Sequence, residues 1–136
     1  MTRYLVDTNV LSELRRPLPN PGVLDWIDGA DRRELYVSVL TLGELRYGVE
    51  RLRTRDAGQA EVLERWIGNL LAQFGSNTVG VDAATADTWA RIRTQGQVDL
   101  VDGLLAATAL LHQWTLVTRN VRDFEQTGCL VLNPFS

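Results

Sequence analysis

Three acids in this 136-residue chain, Asp7, Glu44 and Asp102, stand where chemistry is usually found. Asp7 follows the apolar run Tyr4-Leu5-Val6, and Thr8 and Asn9 set a hydroxyl and an amide beside it. Glu44 falls in the first turn of the helix expected after Leu35-Tyr36-Val37-Ser38. Asp102 is the one charge on an apolar helical stretch running to Gln113, and a buried charge needs a partner or a cation. A fourth polar group, Thr118-Arg119-Asn120 with Asp123, follows Leu116-Val117. Carboxylates gathered in one place repel one another, and hard cations such as Mg²⁺ or Mn²⁺ relieve that repulsion with oxygen ligands. Such ions activate water and stabilise the leaving oxygen in phosphodiester cleavage. Each acid also has a plain structural use. Asp7 and Asp102 suit helix N-termini, and Thr41 with Glu44 three residues on fits a capping box.

The elements needed to bring these acids together can be read along the chain. Strands are expected at Arg3–Val6, Glu34–Val39, Thr78–Val81, Leu116–Thr118 and Leu130–Leu132. Helices are expected from Val10, from Val23 after the break Pro17–Gly22, from a Thr41 cap to a stop at Gly58, over Ala60–Phe74, over Ala83–Ile92 and from Asp102. The stripe Val62, Leu63, Trp66, Ile67, Leu70 and Leu71 faces inward on the Ala60–Phe74 helix. Strands alternating with helices imply a parallel sheet covered on both faces. In such a sheet the acids all fall at the carboxyl edge, where open α/β sheets bind ligands. Asp82 and Asp99 read as turn or cap residues, His112 as a partner for a helix C-terminus and Cys129 as packing.

The bulk properties narrow the function further. A net charge of −3 argues against a strongly basic nucleic-acid binder. All 14 basic residues are Arg, whose planar fork suits bidentate phosphate contacts, so a local basic rim beside an acidic site is compatible with the overall sign. A single cysteine fits a reducing cytoplasm. No stretch is long and apolar enough to span a membrane, and no phosphate-binding glycine motif is present.

Four blocks together resemble the PIN-domain ribonucleases: Leu5-Val6-Asp7-Thr8-Asn9-Val10-Leu11-Ser12-Glu13-Leu14, Ser38-Val39-Leu40-Thr41-Leu42-Gly43-Glu44-Leu45-Arg46-Tyr47-Gly48, Asp102-Gly103-Leu104-Leu105-Ala106-Ala107-Thr108-Ala109 and Leu116-Val117-Thr118-Arg119-Asn120-Val121-Arg122-Asp123-Phe124. The resemblance is strongest to the VapC toxins of type II toxin–antitoxin systems, including their FitB-like members. It implies one domain over residues 1–136, an α/β/α sandwich around a mostly parallel sheet of four to five strands. It also implies an endoribonuclease that uses Mg²⁺ or Mn²⁺, a homodimer and a cognate VapB-like antitoxin. The family's metal-binding and catalytic acids fall on Asp7, Glu44 and Asp102. Many relatives carry an acid where Asn120 stands, so Asp123, one helical turn on, is expected to complete the set. Thr8 and Thr118 would orient carboxylates or water, and Arg46 and Arg119 would contact RNA. The antitoxin tail is expected to lie in a groove walled by the helix after Pro21 and the helix after Glu44, with an Arg reaching Asp7 or Asp102. Two alternatives stand beside this reading. One is an inactive interaction module with the same fold. The other is a Mg²⁺ phosphatase, which would want an acid where Asn9 stands.

Overall fold

The computed structural model describes residues 2–136. Five short strands form an all-parallel sheet in the order β3-β2-β1-β4-β5. They are β1 (Tyr4–Val6), β2 (Leu35–Ser38), β3 (Thr78–Val79), β4 (Thr115–Val117) and β5 (Val131–Leu132). Tyr4 pairs with Leu35 on one side and with Thr115 on the other. From this central strand the chain first winds to one edge and then to the opposite edge. That reversal opens a crevice at the carboxyl end of β1.

Alternation along the strands builds the three layers. Leu5 and Leu116 face α5 (Ala83–Arg93) and α6 (Leu100–His112). Val6, Val37 and Val117 face α1 (Thr8–Glu13), α2 (Pro21–Gly29) and α4 (Ala57–Phe74). This double burial is why the strands read as unbroken apolar runs. Between β2 and α4, α3 (Val39–Arg53) packs on α4 through Leu45, Val49, Ala60 and Ile67. Gly103 allows α5 and α6 to approach closely, since a Cβ there would lie 3.0 Å from the Trp89 indole.

Side-chain caps set most helix starts. Asn20 accepts from the amides of Gly22 and Val23 ahead of α2, with Pro21 at the first helical position. Asp82 caps α5 by accepting from the Thr85 amide, as its sequence position implies. His112 sits at the C-terminal end of α6 and stacks on Trp114, ring centroids 4.4 Å apart.

Several local expectations are corrected. α3 begins at Val39, directly after β2, and its cap is Ser38, whose Oγ accepts from the Leu40 amide. Thr41 is already helical and buried, and its Oγ1 has no hydrogen-bond partner. The Thr41–Glu44 capping box therefore does not form, which leaves Glu44 free for another contact. Gly58 lies in the first turn of α4 rather than ending α3, because Asp56 caps the new helix. On α4, Ile67 and Leu70 are buried, but Val62 faces solvent. Leu130 lies outside β5 and is exposed. Two 3₁₀ turns, Arg32–Glu34 and Val121–Phe124, had no sequence signal. No helix among the described residues is long and apolar enough to cross a membrane.

Candidate active site

The site is assembled around Asp7, the residue that follows β1. Its amide donates to the Val117 carbonyl at 2.9 Å, extending the β1–β4 pairing by one step. Its Oδ1 accepts from the Thr8 amide at 2.7 Å, so Asp7 does cap α1. Capping engages that oxygen only. Oδ2 accepts from the Thr118 hydroxyl at 2.8 Å and from the Asn9 amide group at 3.3 Å. Asp7 is only 5% exposed. Burial raises its carboxyl above the ordinary range, the donors from Thr118 and Thr8 pull it back, and Glu44 and Asp123 push it up again.

The other acids lie near enough to act on one another electrostatically. The Thr8 hydroxyl donates to Glu44 Oε1 at 2.8 Å, tying the start of α1 to α3. Asp102, in the first turn of α6, is half-buried, and its carboxyl is pushed up to about 6. Burial contributes most to that rise, followed by Asp7, Asp123, Asp99 and Glu44. Asp123 lies on the 3₁₀ turn after β4 and lines a polar recess with Asp99 and Asp102. Asn120 precedes that turn, and its side chain makes no cap. The sequence-expected acids thus share one electrostatic neighbourhood.

Asn9 has a role that its sequence position only hinted at. Its Nδ2 donates to Thr118 Oγ1 at 3.2 Å and its Oδ1 accepts from the Arg119 amide at 3.1 Å. Thr118 Oγ1 also accepts from the Asn120 amide. A short amide two residues after the acid fastens the β1–α1 turn to the turn after β4. The same contacts leave no acid at the position a phosphatase would use.

The two Arg candidates are placed differently from each other. Arg119 lies over the Phe135 ring, 4.9 Å from its centroid. Arg46 turns away from the acids to Glu64 on α4 and to Glu50. With Arg53 and Glu61 these side chains form an ion network across the α3–α4 hairpin. The cations that border the site are Arg51 on α3, Arg15 in the turn after α1 and Arg55 in the turn after α3, which line a groove with Thr8 and Glu44. That groove lies between α1, α3 and α4, and the helix after Pro21 takes no part in it.

The donor set suits a hard divalent cation in two respects. All of its ligands are oxygens, and the carboxyls of Asp7 and Asp102 are raised, first by burial and then by neighbouring acids, a repulsion that a cation would relieve. In spacing it is open: among the described residues, no three His, Cys, Asp or Glu side chains stand close enough together to hold an ion as they are placed. Glu44 and Asp102, which are not fully buried, would have to turn inward.

A stability consequence follows from the raised carboxyl. The folded chain keeps a proton on Asp102 up to about pH 6, whereas the ordinary value is 3.8. Folded protein therefore binds more protons in that window, and stability is lost as pH rises through it. Without divalent cations the melting midpoint is expected to fall between pH 5 and 7.5. The loss is about 1 kcal/mol after discounting for the half-exposed carboxyl, or roughly 3 °C. Mg²⁺ should recover more of it at pH 7.5 than at pH 5. Thermal shift assays in EDTA and in Mg²⁺ check this, and a midpoint that rises with pH in EDTA would contradict it.

Comparison with known proteins places this geometry in a family. The PIN domain model matches residues 4–128. A VapC ribonuclease, Y4jK, of Sinorhizobium fredii is 35% identical over 96% of this chain and 96% of its own length. The toxin FitB of Neisseria gonorrhoeae is 36% identical over 96% of this chain and 97% of its own. The crystal structure of FitAcB from Neisseria gonorrhoeae superposes with a TM-score of 0.89 at 35% identity, covering 96% of this chain and 97% of that one. An all-parallel five-stranded sheet, an acid closing its central strand and matches along nearly the whole chain have one common explanation: this chain belongs to the PIN domain family.

Proposed function

We propose that this chain is a Mg²⁺- or Mn²⁺-dependent endoribonuclease, the toxin of a type II toxin–antitoxin pair, acting as one PIN-like nuclease domain over residues 1–136. The observation that carries the reading is geometric: the buried Asp7 closes the central strand with Oδ2 fixed by Thr118 and Asn9, the Thr8 hydroxyl next to it holds Glu44, and Asp102 and Asp123 line the adjoining recess. Full-length likeness to a VapC ribonuclease and to toxin FitB supports the substrate class and the toxin role.

Asp7, Glu44 and Asp102 would hold the cation, with Asp123 completing the acidic wall. Bound there, the cation would neutralise the phosphate and activate water. The chain's own work is orientation and proton handling. Thr118 and Asn9 fix Asp7 Oδ2 in one direction, and the Thr8 hydroxyl sets Glu44. Asp102, whose carboxyl is pushed up to about 6 in the cation-free chain, would give up its proton as the cation binds, so cation affinity should rise with pH through that range. An acidic cleft of this kind also suits inhibition from outside. An Arg on the tail of an antitoxin protein would make bidentate contacts to Asp7 or Asp102 and compete with the cation. The active form is proposed as a homodimer.

The spread of the acids favours a second reading, an interaction module without catalysis. One assay decides. Purified protein with total RNA should give cleavage products in Mg²⁺ or Mn²⁺ and none in EDTA. Asp102→Ala should cost at least ~100-fold, and Asn120→Ala ~10-fold or less, because Asn120 brings no charge to the set. Undiminished cleavage in EDTA would sink the metal mechanism, and no cleavage with either ion would favour the inactive module. In cells, expression of the chain alone should arrest growth and its antitoxin should relieve the arrest.

A further inference from the structure

The groove between α1, α3 and α4 has an unusual lining for a surface beside an acidic site. Its volume is about 370 Å³. It carries three guanidinium groups, Arg15, Arg51 and Arg55, and a single acid, Glu44. Among the described residues none of the three Arg side chains has a carboxylate within salt-bridge distance, whereas nearby Arg46 and Arg53 are fully engaged. The floor is apolar, with Leu52, Leu63, Trp66 and Ile67.

The arrangement along α3 has an order. Glu44, Gly48 and Arg51 follow one another at spacings of four and three, which keeps them on one helical stripe, and Arg55 stands in the turn just past the helix end. The stripe begins with the acid that Thr8 orients and ends at Arg51, about 10 Å on along the helix axis, where the guanidinium lies over the Tyr47 ring, 5.6 Å from its centroid, and has no carboxylate partner. Gly48, in between, leaves the groove open: a Cβ there meets no atom within 4 Å. Beyond the acids on the other side, Asp99, Asp102 and Asp123 line a recess with Arg122 as the one cation. A polyanion approaching the site is therefore attracted from the α3 side and repelled from the α6 side.

We propose that this groove is the path of a single-stranded RNA segment on one side of the scissile phosphate, with Arg15, Arg51 and Arg55 contacting its backbone and the floor receiving unpaired bases. The inference rests on the ribonuclease reading above. The choice of RNA follows from charge: three guanidinium groups without a carboxylate partner among the described residues call for a polyanion, and this chain's proposed substrate is one. The choice of a single strand follows from the apolar floor with Trp66, because bases must be unpaired to reach it. The three Arg are substrate-positioning residues, remote from the bond that breaks.

The test measures binding and turnover separately. Binding of a labelled, unstructured 12-nucleotide RNA to full-length protein carrying Asp7→Asn is followed by anisotropy over a range of NaCl. Arg15→Gln, Arg51→Gln and Arg55→Gln are added singly and together. Each should weaken binding and lower the log–log salt slope by about 0.7, the triple by about 2. With Asp7 intact, the same changes should raise KM several-fold with kcat held within about twofold. Gly48→Leu should weaken RNA binding while the protein stays folded, by filling the groove. Arg91→Gln, on α5 and paired with Asp87, should change nothing. Unchanged KM and salt slope in the triple variant, while the native chain still cleaves RNA, would overturn the path alone. If the triple variant lost only the binding of an inhibitory protein, the groove would be a peptide site and the RNA path would again be refuted. A native chain that neither binds nor cleaves RNA would refute the ribonuclease reading and the path with it.

Discussion

Asp7→Asn should lower RNA cleavage by at least ~100-fold, about 2.7 kcal/mol of transition-state stabilisation, and leave the melting midpoint level or higher. The two halves of that expectation have separate origins. Activity falls because a neutral amide removes the most buried anion of the proposed cation site. Stability is kept because the carboxylate is a burden to the cation-free fold, its carboxyl raised by burial and by neighbouring acids. The amide oxygen of the variant can still accept from Thr8 or Thr118, and the shape of the side chain is unchanged. Initial rates on RNA together with a thermal melt in EDTA test both halves. Residual activity within tenfold of the native protein would remove Asp7 from the mechanism. A midpoint lowered by many degrees would instead make Asp7 a structural residue whose loss says nothing about catalysis.

Phe124→Ala should strongly destabilise the fold. Phe124 is 1% exposed and packs with Leu5, Ile92, Leu105, Trp114 and Leu116 beneath the α5–α6 layer. Truncation removes a ring and leaves a cavity that the sheet and α6 cannot close, at a cost of about 3–5 kcal/mol. That corresponds to a midpoint lowered by roughly 10–20 °C. Phe124 also ends the 3₁₀ turn that carries Asp123, and Asn120 precedes that turn. Activity measured well below the midpoint should therefore drop as well, while Phe124→Leu keeps most of both. Urea unfolding and cleavage rates at 20 °C check the expectation. A loss under about 1 kcal/mol would show that the turn is held by its hydrogen bonds and not by its aromatic anchor.

The order of elements was legible because each apolar run had its own period and its own stop. The placement of Asp7 and of the Thr118–Asp123 segment was legible for a related reason: a parallel sheet sets the carboxyl ends of its strands on one edge, whereas Asp102 follows a helix and reaches that edge only through the packing of α6 on the sheet. What stayed hidden depended on contacts distant in sequence. Asn9 meets the Arg119 amide 110 residues away, and no local pattern marks such a bridge. Arg46 was expected to contact RNA, yet Glu64, 18 residues on, claims it once α3 and α4 pack. The start of α3 was misread because Ser38 and Thr41 both carry hydroxyls. Only the helix beginning directly at the end of β2 shows which of them caps.

The hydrogen bond between Thr118 and Asp7 spans 111 residues and joins the first strand to the fourth. Its length has a consequence during translation. At roughly 5–20 residues per second, the two partners are synthesised roughly 6–22 s apart. Until Thr118 arrives, β1 lacks β4, Asp7 lacks its fixed direction, and Asp102 lacks the turn that brings Asp123 beside it. The acidic edge of the sheet is therefore among the last parts of the fold that can form as the chain is made.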